Sequence, residues 1–385
     1  MKNSFTLITL YIAAFVGFTG FSFLFPVIPL YAAELGATVS EVGLIVATIS
    51  YVTAFFLIPF GMLADRFGRH KLLIGGLVVF TLAPLLYPLA NNPEQLIVVR
   101  AIHGLAAAAF LPTAIALVVD LTKEARRGTA IGWYTASLQT GLMAGPITGG
   151  FLASKFGFDA AFYGCSAVSL VGLAFVLSRL DTIVHRPAAT PDKVSSSWRW
   201  LGRPLAIAVL LAPLMVAVGS GTIGGYIPLY GGEFGMTEAD AGAIITAVYA
   251  SSALLRAPAG RLADMANRKL LLISGVVISA IAVSLFSFFH SLPQFIIIGI
   301  IFGIGMGIAM PVSLVMAADF SSSSSRSLSM AIPTCFFQVG LAAGPTVMGF
   351  IAEMSSFETM FLACAASLAF GLLVMLGLMR AQKVQ

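Results

Sequence analysis

A polar segment rich in glycine and charge separates two long apolar stretches: Gly61-Met62-Leu63-Ala64-Asp65-Arg66-Phe67-Gly68-Arg69-His70-Lys71. Glycine gives a tight turn the backbone freedom that it needs. The acid and the bases can bridge neighbouring helix ends at a membrane surface. The segment therefore indicates a short loop between two membrane-spanning helices.

The composition on either side of this loop is that of a membrane protein. Of the 385 residues, 59% are hydrophobic and 10% are charged, against roughly 25% charged residues in a soluble domain. A soluble protein could not keep so much apolar surface away from water. The composition therefore excludes a cytosolic enzyme, a disordered chain and a nucleic-acid-binding protein. Cys165, Cys335 and Cys364 lie in apolar stretches, which argues against a disulfide framework.

The apolar stretches are long enough to cross a bilayer, which takes about 20 residues. The first stretch follows Lys2 but exceeds the length of a signal peptide, so we expect it to be a retained span. The sequence predicts an all-α integral membrane protein of twelve spans, at 5–33, 40–63, 71–90, 94–118, 128–153, 160–180, 203–231, 238–262, 269–289, 293–318, 327–353 and 357–380.

The charges predict the orientation of these spans. Eighteen of the 21 Lys and Arg residues fall on the side of both termini, Lys155 falls on the opposite side, and Arg100 and Arg256 lie within spans. The positive-inside rule places both termini in the cytoplasm of a cell that carries the protein in its plasma (inner) membrane. None of the 16 acidic residues falls in the middle of a span.

The chain contains an internal repeat with a constant offset of 199 residues. Between 28–76 and 227–275, 20 of 49 positions are identical without a gap, and the offset persists to Gly145-Pro146 and Gly344-Pro345. Two six-span halves in the same orientation are typical of a transporter that rocks about a site between them. We expect an N-terminal bundle at 1–180, a cytoplasmic linker at 181–202 and a C-terminal bundle at 203–385.

Three segments resemble signatures of the major facilitator superfamily. The loop from Gly61 to Lys71 is similar to its loop 2–3 signature, and Leu96-Ile97-Val98-Val99-Arg100-Ala101-Ile102-His103-Gly104 is similar to its span-four signature. Gly141-Leu142-Met143-Ala144-Gly145-Pro146-Ile147-Thr148-Gly149-Gly150 resembles the antiporter signature of its twelve-span drug–proton antiporters. The resemblance implies two pseudo-symmetric six-helix bundles and a drug-efflux function.

Charged residues at the cytoplasmic helix ends predict a gate. Both members of the pairs Arg69–Asp120 and Arg268–Asp319 recur at the repeat offset, so we expect an ion pair within each half. We expect Asp65 to meet the N-terminus of span eleven, where the helix dipole favours an anion, when the cytoplasmic side is closed. The predicted gate consists of Gly61, Asp65, Arg66, Gly68, Arg69, Asp120, Asp264, Arg268 and Asp319.

The glycines of span five leave two interpretations open. Residues four apart form one bare stripe on a helix, which allows close helix packing in a membrane, and span ten has a similar stripe at Gly299, Gly303 and Gly307. Alternatively, as the resemblance implies, the span-five motif seals the cavity and sets the direction of exchange. The motif residues are Gly141, Gly145, Pro146, Gly149 and Gly150.

The two intramembrane arginines and one histidine are candidates for function. Arg100 is costly at mid-span, so it either faces a central cavity or extends to the outer surface. His103, at i+3 on the same helix face, is either a proton carrier or a hydrogen-bonded packing residue. We expect Arg256, near the cytoplasmic end of span eight, to extend to the surface.

The predicted cavity is aromatic and weakly polar, which suits a lipophilic or amphipathic solute. Span one lacks the acidic residue that many proton-coupled relatives carry, so coupling could use His103, Glu34 or no residue at all. The predicted substrate and proton pathway comprises Arg100, His103, Phe21, Phe25, Tyr51, Phe110, Tyr134, Gln139, Tyr226, Tyr249, Phe336 and Gln338.

Together these observations predict a secondary transporter that exports hydrophobic or amphipathic small molecules by alternating access, in exchange for protons. The alternative is an uptake carrier or facilitator for a small metabolite such as a sugar or an amino acid. We see no nucleotide-binding loop, nucleophile–base pair or metal-ligand cluster, so we expect no enzymatic activity and no cofactor or metal. The expected partners are the substrate, protons and the lipid bilayer, with no nucleic acid and a monomeric state.

Overall fold

The computed structural model describes residues 2–123, 126–178, 203–319 and 326–381, and within these ranges the chain is helical without a strand. The predicted linker at 181–202 lies outside the described residues. Span 1 is Lys2–Phe23 with Val27–Glu34, span 2 Val39–Phe67, span 3 Arg69–Leu82 with a 3-10 helix Ala83–Leu89, span 4 Pro93–Asp120, span 5 Arg127–Phe156, span 6 Phe158–Leu177, span 7 Pro204–Gly232, span 8 Glu238–Met265, span 9 Arg268–Leu285, span 10 Leu292–Asp319, span 11 Arg326–Met354 and span 12 Phe357–Ala381.

The described helices confirm the all-α membrane fold. Ten of the helical segments in the described ranges are long and apolar enough to cross a membrane. The other two, span 5 and span 8, are 30 and 28 residues long but more polar. These two spans pack against each other between the halves of the molecule. Below, "outer" means the side of the membrane opposite the chain termini.

Span 1 crosses the membrane as predicted, at Phe5–Glu34, but its helix is interrupted by a turn. The helix ends at Phe23 and resumes at Val27, and Pro26 lies in the break. Proline lacks an amide hydrogen and clashes with the preceding turn. Its repeat partner in span 7 is Gly225, and there the helix is continuous through Pro213 and Pro228. The break therefore belongs to Pro26 and to one half alone.

The repeat is visible in the local structure. Gly36 and Gly235, which are equivalent positions, both adopt positive φ angles, of 84° and 75°. The helices that follow both start with a capping box, in which Thr38 pairs with Glu41 and Thr237 pairs with Asp240. A capping box satisfies backbone amides at a helix start. The offset of 199 residues therefore relates positions with the same local structure as well as positions with the same residue.

The buried apolar side chains form separate clusters in the two halves. One large cluster extends from Ala208 to Met379, and two further clusters draw on residues between Leu10 and Val176. Each half therefore has a hydrophobic core of its own. The domain limits 1–180 and 203–385 stay a prediction.

Candidate functional site

The two halves meet along two pseudo-symmetric contacts between glycine and proline. A β-carbon at Gly43 of span 2 would overlap the Pro345 carbonyl oxygen of span 11. At the equivalent positions, a β-carbon at Gly242 of span 8 would overlap the Pro146 carbonyl oxygen of span 5. Both contacts require glycine, because backbone meets backbone with no room for a side chain. They lie in the outer half of the membrane.

Hydrogen bonds reinforce these contacts. On the first interface, the Ser40 amide donates to Glu353 Oε2 at 2.8 Å and the Tyr51 hydroxyl to Thr346 Oγ1 at 3.3 Å. On the second, the Ile147 amide donates to Thr246 Oγ1 at 3.1 Å, and this hydroxyl donates to the Met143 carbonyl at 3.0 Å. The outer ends of the four interface spans are therefore closed.

The cytoplasmic ends of spans 5 and 8 are packed less closely than their outer ends. Gly132 and Gly260 each lie eighteen residues from a closely packed glycine, Gly150 and Gly242, which is five helical turns and the same helix face. A β-carbon at Gly132 or Gly260 would meet nothing within 4 Å, whereas one at Gly150 would overlap the Glu238 carbonyl oxygen. The interface between spans 5 and 8 is therefore closed at its outer end and open at its cytoplasmic end.

A small cavity lies between the halves. The predicted residues Phe21, Phe25, Arg100 and Tyr249 line it, and the rings of Phe25 and Tyr249 pack across the halves at 5.8 Å between centroids. The break at Pro26 places Phe25 at this contact. The other lining residues are Leu24, Ile28, Pro29, Val46, Ile49, Ser50, Ser220, Gly221, Gly224 and Leu341.

The sequence analysis missed the small residues of this lining. Ser220 and Gly224 are the repeat partners of Phe21 and Phe25, and Ser50 is the repeat partner of Tyr249. The cavity therefore sets bulky aromatic residues of one half opposite small residues at equivalent positions of the other. Applying the repeat offset to the predicted aromatic residues would have found these positions.

Arg100 faces the cavity and is 3% exposed. Its Nε donates to the Ile45 carbonyl at 3.3 Å and its Nη2 to the Val46 carbonyl at 3.4 Å, both in span 2. Its Nη1 is buried, and the Tyr87 hydroxyl lies within hydrogen-bonding reach of the guanidinium. The partners are carbonyl groups, as expected where no carboxylate lies at that depth.

His103 lies one turn along the same helix but is sealed from the cavity. It is 0% exposed, and its Nδ1 shares a hydrogen bond of 3.1 Å with the Tyr87 hydroxyl. The rings of Phe21 and Phe80 meet it edge-on, with centroids at 5.8 and 5.4 Å. Since Phe21 also lines the cavity, one aromatic ring separates His103 from it.

Arg256 does not extend to the cytoplasmic surface, and that expectation was wrong. With the Gln139 amide turned so that its oxygen faces the guanidinium, it accepts from Arg256 Nε at 2.8 Å and Nη2 at 2.7 Å. This bridge joins span 5 to span 8 across the two halves. The equivalent positions, Gln338 and Leu57, cannot form it. This hydrogen bond to the neutral Gln139 amide keeps the Arg256 side chain at the interface between the halves and away from the cytoplasmic surface.

The remaining predicted pathway residues lie outside the lining. Phe110 and Tyr134 are buried in the core of the N-terminal half. The Tyr226 hydroxyl donates to the Pro345 carbonyl at 2.7 Å, at the closed outer contact. Tyr51 is 42% exposed, while Phe336 and Gln338 are partly buried in span 11. Their contact with substrate stays a prediction.

The two predicted ion pairs at the cytoplasmic helix ends are confirmed. Arg69 Nη1 lies 2.5 Å from Asp120 Oδ2, and Arg268 pairs with Asp319. Arg69 also contacts Asp65 at 2.9 Å, so Asp65 bonds within its own half here. Gly68 links spans 2 and 3 with a φ of 99°, and Arg66 stacks over Phe67. The side chains of Asp264 and of 326–331 lie outside the described residues.

The glycine stripes are packing faces in this structure. Gly141, Gly145 and Gly149 lie against the backbone of span 1, and the Ser22 hydroxyl donates to the Gly141 carbonyl at 3.2 Å. Gly299, Gly303 and Gly307 lie against span 8 in the same way. The contacts support the packing interpretation and leave the direction of exchange a prediction.

Comparison with known proteins places these features in a family. The sequence profile described as Major Facilitator Superfamily matches residues 10–230 and 209–385. Multidrug resistance protein 2 of Bacillus subtilis is 29% identical over 282 residues, 70% of each chain. Multidrug resistance protein MdtG of Klebsiella pneumoniae is 26% identical over 374 residues, 94% of this chain and 90% of the relative. A bacterial homologue of the human lysosomal transporter Spinster, in an inward-facing and occupied conformation, superposes with a TM-score of 0.83 at 15% identity, over 98% of this chain and 97% of that one.

Proposed function

Because this chain belongs to the Major Facilitator Superfamily and is a membrane transporter rather than an enzyme, we propose that it exports hydrophobic or amphipathic small molecules by alternating access, in exchange for protons. The observation that carries the proposal is the cavity between the halves, lined by Phe21, Phe25 and Tyr249 and closed at the outer end. Aromatic walls with few polar groups suit a lipophilic body. The two relatives named for multidrug resistance support the direction.

The proposed cycle alternates the two ends of the interface. The contacts of Gly43 and Gly242 close the outer side while Gly132 and Gly260 stand open at the cytoplasmic side. In the proposed cycle, cargo enters this state from the cytoplasm. Rocking of the halves would separate the outer glycines and bring the cytoplasmic ends together, releasing cargo outside.

The proposed proton carrier is His103. Outward opening would move span 1 and with it Phe21, the ring between His103 and the cavity. In the proposed cycle, His103 takes up a proton from an acidic exterior and releases it when the carrier turns inward. Glu34, exposed at the outer end of span 1, is the alternative proton carrier.

Transport by the purified protein in proteoliposomes tests the proposal. A panel of lipophilic dyes, amphipathic drugs, sugars and amino acids is offered with and without an imposed pH gradient, and liposomes without protein serve as the control. We expect the dyes or drugs to accumulate only with protein and with the gradient. Accumulation of sugars or amino acids alone would replace the proposal by the uptake alternative. Equal drug transport with and without the gradient would contradict the exchange for protons.

A further inference from the structure

A buried polar cluster lies in the N-terminal half, behind the ring of Phe21. It consists of Arg100 and His103 on span 4 and Tyr87 on the 3-10 helix of span 3, and these side chains are 3%, 0% and 0% exposed. The Tyr87 hydroxyl lies 3.1 Å from His103 Nδ1 and within hydrogen-bonding reach of the Arg100 guanidinium. The intramembrane arginine and the proposed proton carrier therefore share one hydroxyl group.

The C-terminal half builds the same region without polar side chains. The repeat partners of the three residues are Phe286, Gly299 and Phe302. Both phenylalanines are 0% exposed. A β-carbon at Gly299 would lie 3.2 Å from the Ile244 carbonyl oxygen, whereas the equivalent Ile45 carbonyl accepts a hydrogen bond from Arg100. A half can therefore pack without the polar cluster, and the fold alone does not explain its presence.

The donors and acceptors fix the direction of the hydrogen bonds in the cluster. A guanidinium only donates, so the Tyr87 oxygen accepts from Arg100 and the Tyr87 hydroxyl hydrogen is left for His103 Nδ1. A neutral imidazole that accepts at Nδ1 carries its proton on Nε2. Cys165, the other titratable group near Tyr87, offers only a weak thiol acceptor. The cluster therefore selects the Nε2–H tautomer of neutral His103.

We propose that Tyr87 is a positioning residue that transmits the protonation of His103 to Arg100, an inference that rests on the proposed role of His103. A proton taken up at Nδ1 forms an N–H bond directed at the Tyr87 oxygen. The hydroxyl hydrogen must then turn away, and the oxygen accepts from the imidazolium. Two cations now compete for one oxygen, so Arg100 is held less firmly until the Nδ1–H bond breaks and the proton leaves.

Arg100 connects this change to the outer closure. Its Nε and Nη2 donate to the carbonyl groups of Ile45 and Val46 on span 2. These carbonyl groups lie two and three residues from Gly43, whose backbone contact with span 11 closes the outer side. A guanidinium that reorients when it loses the Tyr87 oxygen would pull on this stretch of span 2. One hydroxyl group therefore links the proton to the outer closure.

The tautomer of His103 tests the positioning role without transport. The full chain, labelled with 15N in its histidine side chains, is compared by NMR at mildly alkaline pH as parent and as Tyr87→Phe, with the His103 signals assigned by their loss in His103→Gln. We expect the Nε2–H tautomer alone in the parent. Tyr87→Phe should show both neutral tautomers, because Nε2 has no hydrogen-bond partner among the described residues and Nδ1 would lose the one that it has.

A matched control separates the hydroxyl from general effects of the substitution. Tyr163→Phe removes an exposed hydroxyl from span 6 of the same half and should retain the parent tautomer. Tyr87→Phe itself should fold, since phenylalanine fills the equivalent buried position 286. An unchanged tautomer in Tyr87→Phe overturns the proposal. The Nδ1–H tautomer in the parent overturns it as well, and this measurement needs no variant.

Transport in proteoliposomes separates this inference from the export proposal. In Tyr87→Phe the ratio of gradient-driven to downhill transport should fall about tenfold, the equivalent of one hydrogen bond to a charged group. If His103→Gln accumulates substrate as the parent does, the proposed proton carrier fails and the transmission fails with it. If His103→Gln is impaired but Tyr87→Phe keeps the parent ratio, the transmission alone is contradicted and the export proposal stands.

Discussion

Arg100 and His103 stand one turn apart on span 4, yet their surroundings assign them different tasks. The guanidinium lines the cavity and donates to span 2 carbonyl groups, whereas the imidazole is held by Tyr87 behind the ring of Phe21. A residue in contact with cargo should affect every transport mode. A residue that only carries a proton should affect only transport driven by a pH gradient.

The first prediction follows from this division. His103→Gln should abolish accumulation driven by a pH gradient while leaving downhill exchange intact, because glutamine can hydrogen-bond Tyr87 but cannot carry a proton. Arg100→Ala should impair both modes. Proteoliposome transport with and without the gradient measures the two. If His103→Gln accumulates substrate at the level of the parent, another residue carries the proton, and Glu34 is the next residue to test.

The ion pair between Arg69 and Asp120 gives a second residue-scale prediction. Both side chains are partly exposed, at 18% and 26%, so solvent screens the pair and its coupling energy should stay under about 1 kcal/mol. A double-mutant cycle on thermal unfolding, with Arg69→Gln and Asp120→Asn, measures it. The pair Arg268–Asp319, at 34% and 58% exposure, should show a smaller coupling. A coupling of several kcal/mol in either pair would contradict this estimate.

The residues that sequence patterns located well are those with repeated polar partners. Arg69, Asp120, Arg268 and Asp319 recur at a fixed offset, so their pairing followed from the letters. Arg256 has Leu57 as its repeat partner. The repeat therefore did not predict that Arg256 would hydrogen-bond Gln139. A unique contact between halves depends on how the halves dock, which the local sequence does not encode.

At the scale of elements, spans 5 and 8 are in backbone contact at their outer ends, and Gln139 and Arg256 bridge them nearer the cytoplasm. Gly150 and Gly242 allow backbone contact at the outer end, while Gly132 and Gly260 on the same faces meet nothing within 4 Å. Closing the outer side therefore requires the absence of a side chain at two positions. Closing the cytoplasmic side requires spans 5 and 8 to pivot relative to each other.

A substitution at each end tests this geometry. Gly242→Val should hold the outer side open, because its side chain would meet the Pro146 carbonyl oxygen. An impermeant maleimide from the outside should then label a cysteine introduced at Ser220 in the cavity, in a background without Cys165, Cys335 and Cys364. Gly260→Val, on the same face where space is open, is the control and should leave this labelling low. Equal labelling of the two variants would exclude the outer contact as the closure.

The spans themselves were predictable because apolar length and charged loops are strong signals, and the predicted bounds lie within a few residues of the helices. The break in the helix of span 1 was not predictable from the sequence. Pro26, Pro213 and Pro228 all lie in apolar sequence, but only Pro26 interrupts its helix. Packed membrane helices tolerate proline when neighbours satisfy the freed backbone groups, so the outcome depends on tertiary contacts.

At the scale of the whole molecule, Asp65 should set the balance between the two conformations. Here it bonds Arg69 within its own half, and its predicted contact with the N-terminus of span 11 requires a closed cytoplasmic side. Asp65→Asn should therefore bias the transporter toward the cytoplasm-open state. Labelling of a cysteine at Gly260 from the cytoplasmic side should rise in this variant and stay unchanged in Asp159→Asn, a control at the outer end of span 6. Unchanged labelling in Asp65→Asn would contradict the contact.

The excess of guanidinium over carboxylate inside the membrane also bears on the source of energy. Moving one elementary charge across the membrane is worth about 2.3 kcal/mol per 100 mV. A guanidinium keeps its charge throughout the cycle, so Arg100 and Arg256 would each feel the membrane voltage if they change depth when the halves rock. The voltage would then favour one conformation over the other, even where span 1 supplies no acid for a proton.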